Sequence, residues 1–252
     1  MSRTLKTLGV VDACFSTDRC RRLAARKLGG KPMLEWVVRR ATDCQQLDGV
    51  MVVTRDTPEN RFVSNLVPLD VPVYLGSEAD ALSCMAAALE TYQAEAMVRI
   101  CADCVFVDPT LIDRLVITAQ AQADCDYVGY CSRDGRPAIL SPVDVYGEWV
   151  RTSALRKAAQ RATAQADRDV PTRYVYSHPE KFNVRSLPAP SQIDRDDVRL
   201  AVAIEEDWDH TVIIFEALGP EQLDWQRIAG LLDQHPALRQ RMADLNRVHG
   251  KG

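Results

Sequence analysis

What this sequence lacks narrows the field first. No apolar stretch approaches the roughly 20 residues that a membrane helix needs. The opening MSRTLKTLGVV has neither the long apolar region nor the small-residue cleavage site of a secretory signal, so a cytoplasmic location is expected and no membrane partner. An excess of one charge is also missing. A net charge of -4 exerts no general pull on nucleic acid or an anionic membrane, so any anionic ligand has to be held by local cations. Histidine is scarce, with four in all. His178 and His235 precede prolines, His249 lies in the tail, and no pair has the helix-face spacing of a metal site. Fixed-period repeats and low-complexity tracts are absent.

Cysteine is not scarce, but its distribution excludes a disulfide scaffold. The eight cysteines are spread through an enzyme-sized chain without the density of a small secreted domain. Cys101 and Cys104 have C-x-x-C spacing, yet no second pair follows at zinc-finger spacing, and Cys125 and Cys131 are too loosely placed to supply one. Most are read as small buried apolar residues. Cys14 differs in sitting at a loop rich in arginine, a setting that can lower a thiol pKa, although packing is the simpler reading there too.

What is present is a strand and helix alternation. LGVVDACF (8–15) reads as a buried strand, followed by a polar, basic loop to residue 32 and a helix starting at Pro32, a proline suited to a first turn. Next come a strand at 49–54, a short helix near 58–66, a strand at 71–76, a helix over 77–93 with Ser77 as its N-cap, a strand at 96–101, a helix at 109–122 and a strand at 125–131. Strands separated by helical segments of about 10–15 residues predict parallel pairing with helices on both faces. Beyond 132 the rhythm changes: extended chain at 137–147, helices at 150–165 and 167–178, strands at 181–187 and 198–203, then three helices, the last from Pro236. The chain of 252 residues is expected to be one domain, with 132–190 an excursion from the sheet and 219–252 a C-terminal helical segment.

Open parallel sheets bind ligands outside the carboxyl ends of their strands. That rule selects the loops 12–32, 75–80 and 102–108. Asp103 lies in the last, and by residue type it is either a loop carboxylate capping backbone N–H groups or a metal ligand. The basic run 19–27 is either a solvated face or an anion site.

Five blocks resemble the nucleotide-activating family that includes the acylneuraminate cytidylyltransferases, most closely its spore-coat-polysaccharide branch, over roughly residues 8–217. The branch's phosphate loop, QARxGSxRLPGKxLxxLGGKPLLEW, is matched by DACFSTDRCRRLAARKLGGKPMLEW (12–36). GSEDDVLDR is matched by GSEADALSC (76–84), and RITGDCPLIDPxLID by RICADCVFVDPTLID (99–113). DREHVTPYIYxHPEKF is matched by DRDVPTRYVYSHPEKF (167–182), and LRLTVDTPEDF by VRLAVAIEEDW (198–208). The resemblance implies a three-layer α/β/α fold of the nucleotide-diphospho-sugar transferase type, with 132–190 as a dimer arm and a homodimer as the assembly. It also implies attack of a sugar-acid or sugar-phosphate oxygen on the α-phosphate of CTP with release of pyrophosphate, in glycan or surface-polysaccharide synthesis. Nucleotide contacts are implied for Asp12, Ala13, Ser16, Arg19 and Lys31, with Ser77, Glu78 and Asp80 matching the stretch that reads the base. Asp103 is implied as the Mg²⁺ ligand and, with Arg19, as the catalytic pair.

The chain also departs from that pattern. The family's loop arginine falls on Cys14, its close-approach glycine on Ser16, its lysine on Leu23, and its second metal carboxylate on Ala203. Arg21, Arg22, Arg26 and Lys27 keep the loop basic. Glu205 lies on the same side of an extended chain as Ala203 and is the candidate second metal ligand, although one pleat repeat farther along. Two other functions stay open beside the enzyme: a catalytically impaired relative that acts by binding nucleotide, sugar or protein, and a transferase that uses a preformed nucleotide sugar.

Overall fold

In the computed structural model, which describes residues 7–249, TLGVVD forms strand β1 (Thr7–Asp12), an interior strand, third in order, of a seven-stranded sheet. Its neighbours are β4 (Gly49–Arg55) and β6 (Ala96–Cys101), both parallel to it. β5 (Val73–Gly76) continues the parallel set on one side. On the other side stand β8 (Glu148–Arg151), antiparallel to β6, then β7 (Tyr127–Cys131) and β9 (Val184–Pro188), which pair parallel to each other. The sheet is therefore mostly parallel, with helices on both faces.

Side-chain alternation explains the layers. Leu8, Val10, Met51, Val53 and Met97 face one core, against α3 (Ala81–Thr91) and α5 (Thr152–Arg161). Val11, Val52, Val98 and Ile100 face the other, against α2 (Met33–Thr42), α4 (Pro109–Gln120), α8 (Glu205–Leu218), α9 (Trp225–Gln234) and α10 (Pro236–His249). Strands buried on both faces read as unbroken apolar runs. The DPTLID block has a structural use: Asp108 caps α4 through Thr110 N at 2.9 Å and also accepts Trp225 N at 2.9 Å, joining α4 to α9.

Several sequence expectations need correction. The loop expected between the first strand and Pro32 holds a helix, α1 (Asp18–Ala25), capped by Thr17, whose hydroxyl accepts Cys20 N at 3.3 Å. A hairpin follows, β2 (Lys27–Leu28) and β3 (Lys31–Pro32), turning through Gly29 and Gly30 at φ 54° and 84°, the left-handed pair that a two-residue turn requires. A Cβ on Gly29 would also stand 2.7 Å from the Phe215 ring. The helix expected near 58–66 is a 3₁₀ turn, Arg61–Asn65. The N-cap of α3 is Asp80, not Ser77, with Ser83 N donating to it at 2.8 Å.

Residues 132–190, expected to leave the sheet, supply β8 and β9 to it, along with two short helices, α6 (Gln165–Asp169) and α7 (Arg173–Tyr176). The segment 198–203 is not a strand. Val198, Leu200 and Val202 are buried as the alternation predicts, but Leu200 and Ala201 both donate to the Pro142 carbonyl and no ladder forms.

Candidate functional site

The carboxyl ends of β1 and β6 meet in register, Asp12 opposite Cys101. Arg99, two residues earlier on β6, fixes this end of the sheet. Its Nε donates to Asp12 Oδ2 at 2.9 Å and its Nη1 to Glu148 Oε2 at 2.9 Å. Glu148, 1 % exposed, also accepts the Tyr127 hydroxyl at 2.6 Å and the Thr172 hydroxyl at 2.7 Å. Buried charges persist only when paired and hydrogen-bonded, and here each carboxylate is held by the same guanidinium. Asp12 is thereby oriented, and its Oδ1 accepts the Cys14 N–H at 3.2 Å.

Over this end lies a cavity of about 240 Å³, lined among others by Asp12, Ser16, Arg99, Asp103 and Asp169, with apolar walls from Phe15, Leu23 and Met33. Burial raises the Asp103 carboxyl above its ordinary range, and nearby Asp12 adds to the rise, while Arg99 opposes it. Cys14 does not carry the activated thiol that its loop suggests. A hydrogen bond with Cys84, burial, and the neighbouring Asp12 all push its pKa up, and its Sγ turns to the Val53 carbonyl at 3.8 Å. All eight cysteines are free thiols.

A second cleft, about 570 Å³, adjoins the first, with Leu23 lining both; it is walled by Arg19, Arg22 and Arg26 on one side and Ile204, Glu205 and Glu206 on the other. The basic run divides by use. Arg21 braces the loop, donating to the Phe15 carbonyl at 3.1 Å, Asn60 Oδ1 at 3.2 Å and Asp18 at 3.0 Å. Arg26 pairs with Glu205 and stacks on Trp208 at 4.4 Å. Arg19 and Arg22 have no hydrogen-bond or ion-pair partner among the described residues and stand free in the cleft.

The sequence candidates scatter accordingly. Asp12, Ser16 and Asp103 share the first cavity, and Arg19 lines the second. Ala13 is buried with its backbone engaged, its N–H to Val53 O at 2.9 Å and its carbonyl accepting the Thr54 hydroxyl at 2.7 Å. Lys31 lies over the Trp36 ring at 5.5 Å and lines neither cavity. Ser77, Glu78 and Asp80 sit past β5, and Arg168, next to the cavity residue Asp169, joins them by reaching Asp80 at 3.6 Å and Ser83 Oγ at 3.3 Å. Glu78 Oε2 is buried with no hydrogen-bond partner among the described residues. Gly76 makes its room, because a Cβ there would stand 2.5 Å from that oxygen and 2.3 Å from Cys84 Sγ.

Glu205 is not brought to Asp103. The chain does not stay extended past Ala203: Ile204 precedes α8, and Asp207 folds back to accept Ala203 N at 2.8 Å and Ile204 N at 2.9 Å while holding Arg199. Glu205 thus opens a helix, and its carboxylate goes to Arg26. The carboxylates that do share the Asp103 cavity are Asp12 and Asp169. Asp169 was missed in the sequence although it sits inside the matched 167–182 block, and nothing but that block would have signalled it.

A family model described as Cytidylyltransferase matches residues 17–248. The chain is 27 % identical over 236 residues to the uncharacterized protein MJ1063 of Methanocaldococcus jannaschii, covering 93 % of each chain. It is 23 % identical over 245 residues to the spore coat polysaccharide biosynthesis protein SpsF of Bacillus subtilis, covering 94 % of this chain and 98 % of that one. Among solved structures, a cytidylyltransferase from Leptospira borgpetersenii superposes with a TM-score of 0.79 at 19 % identity over 95 % of this chain and 98 % of the other. A CMP:2-keto-3-deoxy-manno-octonic acid synthetase complexed with CTP superposes with a TM-score of 0.63 at 12 % identity over 84 % of this chain and 99 % of that one.

Proposed function

The chain belongs to the cytidylyltransferase family, and from that premise we propose that it transfers CMP from CTP to a sugar acid or sugar phosphate, as a cytoplasmic homodimer serving surface-polysaccharide synthesis. The observation that carries this reading is the adjacency of two cavities that share Leu23 as a wall: one with the Asp103 carboxylate among its walls, the next with two arginines unpaired among the described residues. That layout suits a nucleoside triphosphate with its α-phosphate near Asp103 and its β- and γ-phosphates on Arg19 and Arg22. Arg19 is the loop cation that the family pattern keeps in register, and Arg22 stands in for one of those lost at Cys14 and Leu23. The segment 77–80 is the candidate for base reading, and 132–190 for the dimer contact.

The donor set fits Mg²⁺. This ion is usually held by one or two carboxylates together with substrate phosphates, and Asp103 with Asp12 or Asp169 offers that many. When bound, the ion neutralises charge on the phosphates during transfer. The chain's own residues do the rest. Arg99 orients Asp12, Arg19 and Arg22 bind the leaving pyrophosphate, and Phe15, Leu23 and Met33 limit water. In the step itself, a sugar oxygen forms a bond to the α-phosphorus, the bond to the bridging oxygen of the β-phosphate breaks, and a hydroxyl attacker gives its proton to solvent.

A second reading, nucleotide binding without turnover, is favoured by three observations. Leu23 is packed in the core at 8 % exposure, Cys14 is turned to a backbone carbonyl, and Glu205 is spent on Arg26. Pyrophosphate release from CTP, assayed with Mg²⁺ and a panel of sugar acids and sugar phosphates, separates the two. Release supports transfer, whereas CTP binding without release from any acceptor supports the second reading.

A further inference from the structure

The C-x-x-C pair that looks incomplete in the sequence acquires partners in three dimensions. Cys101 Sγ, Cys104 Sγ and an Asp103 carboxylate oxygen lie within 4.8 Å of one another. A fourth donor comes from 40 residues away: Asp144 Oδ1 stands 2.7 Å from Cys104 Sγ. Asp144 is 7 % exposed, between the buried Val143 and Val145, and its backbone takes φ 48°, a left-handed conformation that Asp tolerates better than most residues. No ion pair holds its carboxylate among the described residues, so this acidic group is buried beside a thiol without a cation in contact.

We propose that Cys101, Asp103, Cys104 and Asp144 form a binding site for a thiophilic divalent cation of the Zn²⁺ class. Tetrahedral zinc takes sulfur at about 2.3 Å and carboxylate oxygen at about 2.0–2.2 Å, which sets donor separations of roughly 3.3–3.8 Å. Cys101, Asp103 and Cys104 lie within 4.8 Å of one another, wider than that scale, and Asp144 meets them at Cys104, so side-chain rotations draw the four donors together on binding. Two thiolates select zinc over Mg²⁺, which is held by oxygen donors. Both thiols bind as thiolates, so binding releases one proton from each. The site then carries two thiolates and two carboxylates around a dication. Burial raises both the Asp103 and the Asp144 carboxyl above the ordinary range, and Arg99, which opposes that rise, offsets part of the remaining negative charge. Entry is from the cavity, since Cys101 and Asp103 line it. The soft cation and Mg²⁺ would claim the same Asp103, so occupancy by one excludes the other from that carboxylate.

The test is a titration of the reduced full-length protein with Co²⁺ and no nucleotide, so that it stands apart from any result on CTP turnover. The expected result is saturation at one equivalent with thiolate-to-cobalt charge-transfer bands and the intense visible bands of tetrahedral cobalt, abolished by equimolar Zn²⁺ and weakened by Mg²⁺ only at large excess. Cys101→Ser, at a cavity-lining position, and Asp144→Asn should each weaken cobalt binding more than about tenfold, with melting checked to show that the variants fold. A weak octahedral cobalt spectrum from the wild-type protein would overturn the site. So would charge-transfer bands that survive in the Cys101→Ser, Cys104→Ser double variant.

Discussion

Arg99 and Asp12, on neighbouring strands, form a 2.9 Å ion pair with side chains 9 % and 8 % exposed, and the same guanidinium holds Glu148 on its other side. One cation therefore satisfies two buried carboxylates at the end of the sheet where the cavity opens. Removing it leaves both charges unpaired. Arg99→Met should cost about 3–5 kcal/mol of stability, measured by denaturant unfolding. A loss below about 1 kcal/mol would show that the network is not what holds this end of the sheet.

Asp103 plays a different part. Burial already disfavours its charged form, so Asp103→Asn should leave melting unchanged or raise it. If the transfer reading holds, the same variant should lose pyrophosphate release by at least about 100-fold. Retention of wild-type release would remove Asp103 from the chemistry.

Arg19 and Arg22 should act on binding. Arg19→Ala and Arg22→Ala should each weaken CTP binding by about tenfold, or roughly 1.4 kcal/mol, and the double variant should show a shallower salt dependence, as expected for cations exposed to solvent. Arg21→Ala, by contrast, should lower stability, because that side chain braces Phe15 and Asn60. Calorimetric titration at two salt concentrations reads the first effect, and melting reads the second.

His210 supplies a pH dependence. It is 4 % exposed in α8 with Nδ1 unpartnered among the described residues, and burial holds its pKa below the ordinary 6.5, with Arg241 and Arg199 lowering it further against Asp207 and Asp209. Between the depressed folded value and 6.5 the unfolded chain binds more protons, so this group's contribution to stability is complete above 6.5 and lost as pH falls through the folded pKa. His210→Gln should flatten the rise in melting temperature over that acidic window. An unchanged slope would assign the dependence to other groups.

The fold was largely legible in the sequence because strands buried on both faces leave near-continuous apolar runs, as in LGVV, VMVV and AMV, with Arg99 the one charge set inside β6. The misreadings have local causes. In 16–25 only Leu23 and Ala24 are buried, too few to show helical periodicity, so the Thr17 cap passed unnoticed. Glu205 was placed by strand alternation, which ends where Asp207 captures the Ala203 and Ile204 N–H groups. Asp103 and Arg19 stand out in the sequence because each lies within a matched block, and the structure places Asp103 in the first cavity and Arg19 in the first turn of α1, lining the second. Asp144 had no sequence signal at all. Its relation to Cys104 exists only through the packing of a distant loop.

The most direct measurement on the central claim is thermal unfolding with each of the four nucleoside triphosphates, with and without Mg²⁺. Ligand at about 100 times its dissociation constant adds roughly 2.7 kcal/mol. The account predicts a Mg²⁺-dependent rise with CTP that is lost in Asp103→Asn and reduced in the Arg19→Ala, Arg22→Ala variant. No rise with any nucleotide at millimolar concentration would contradict it.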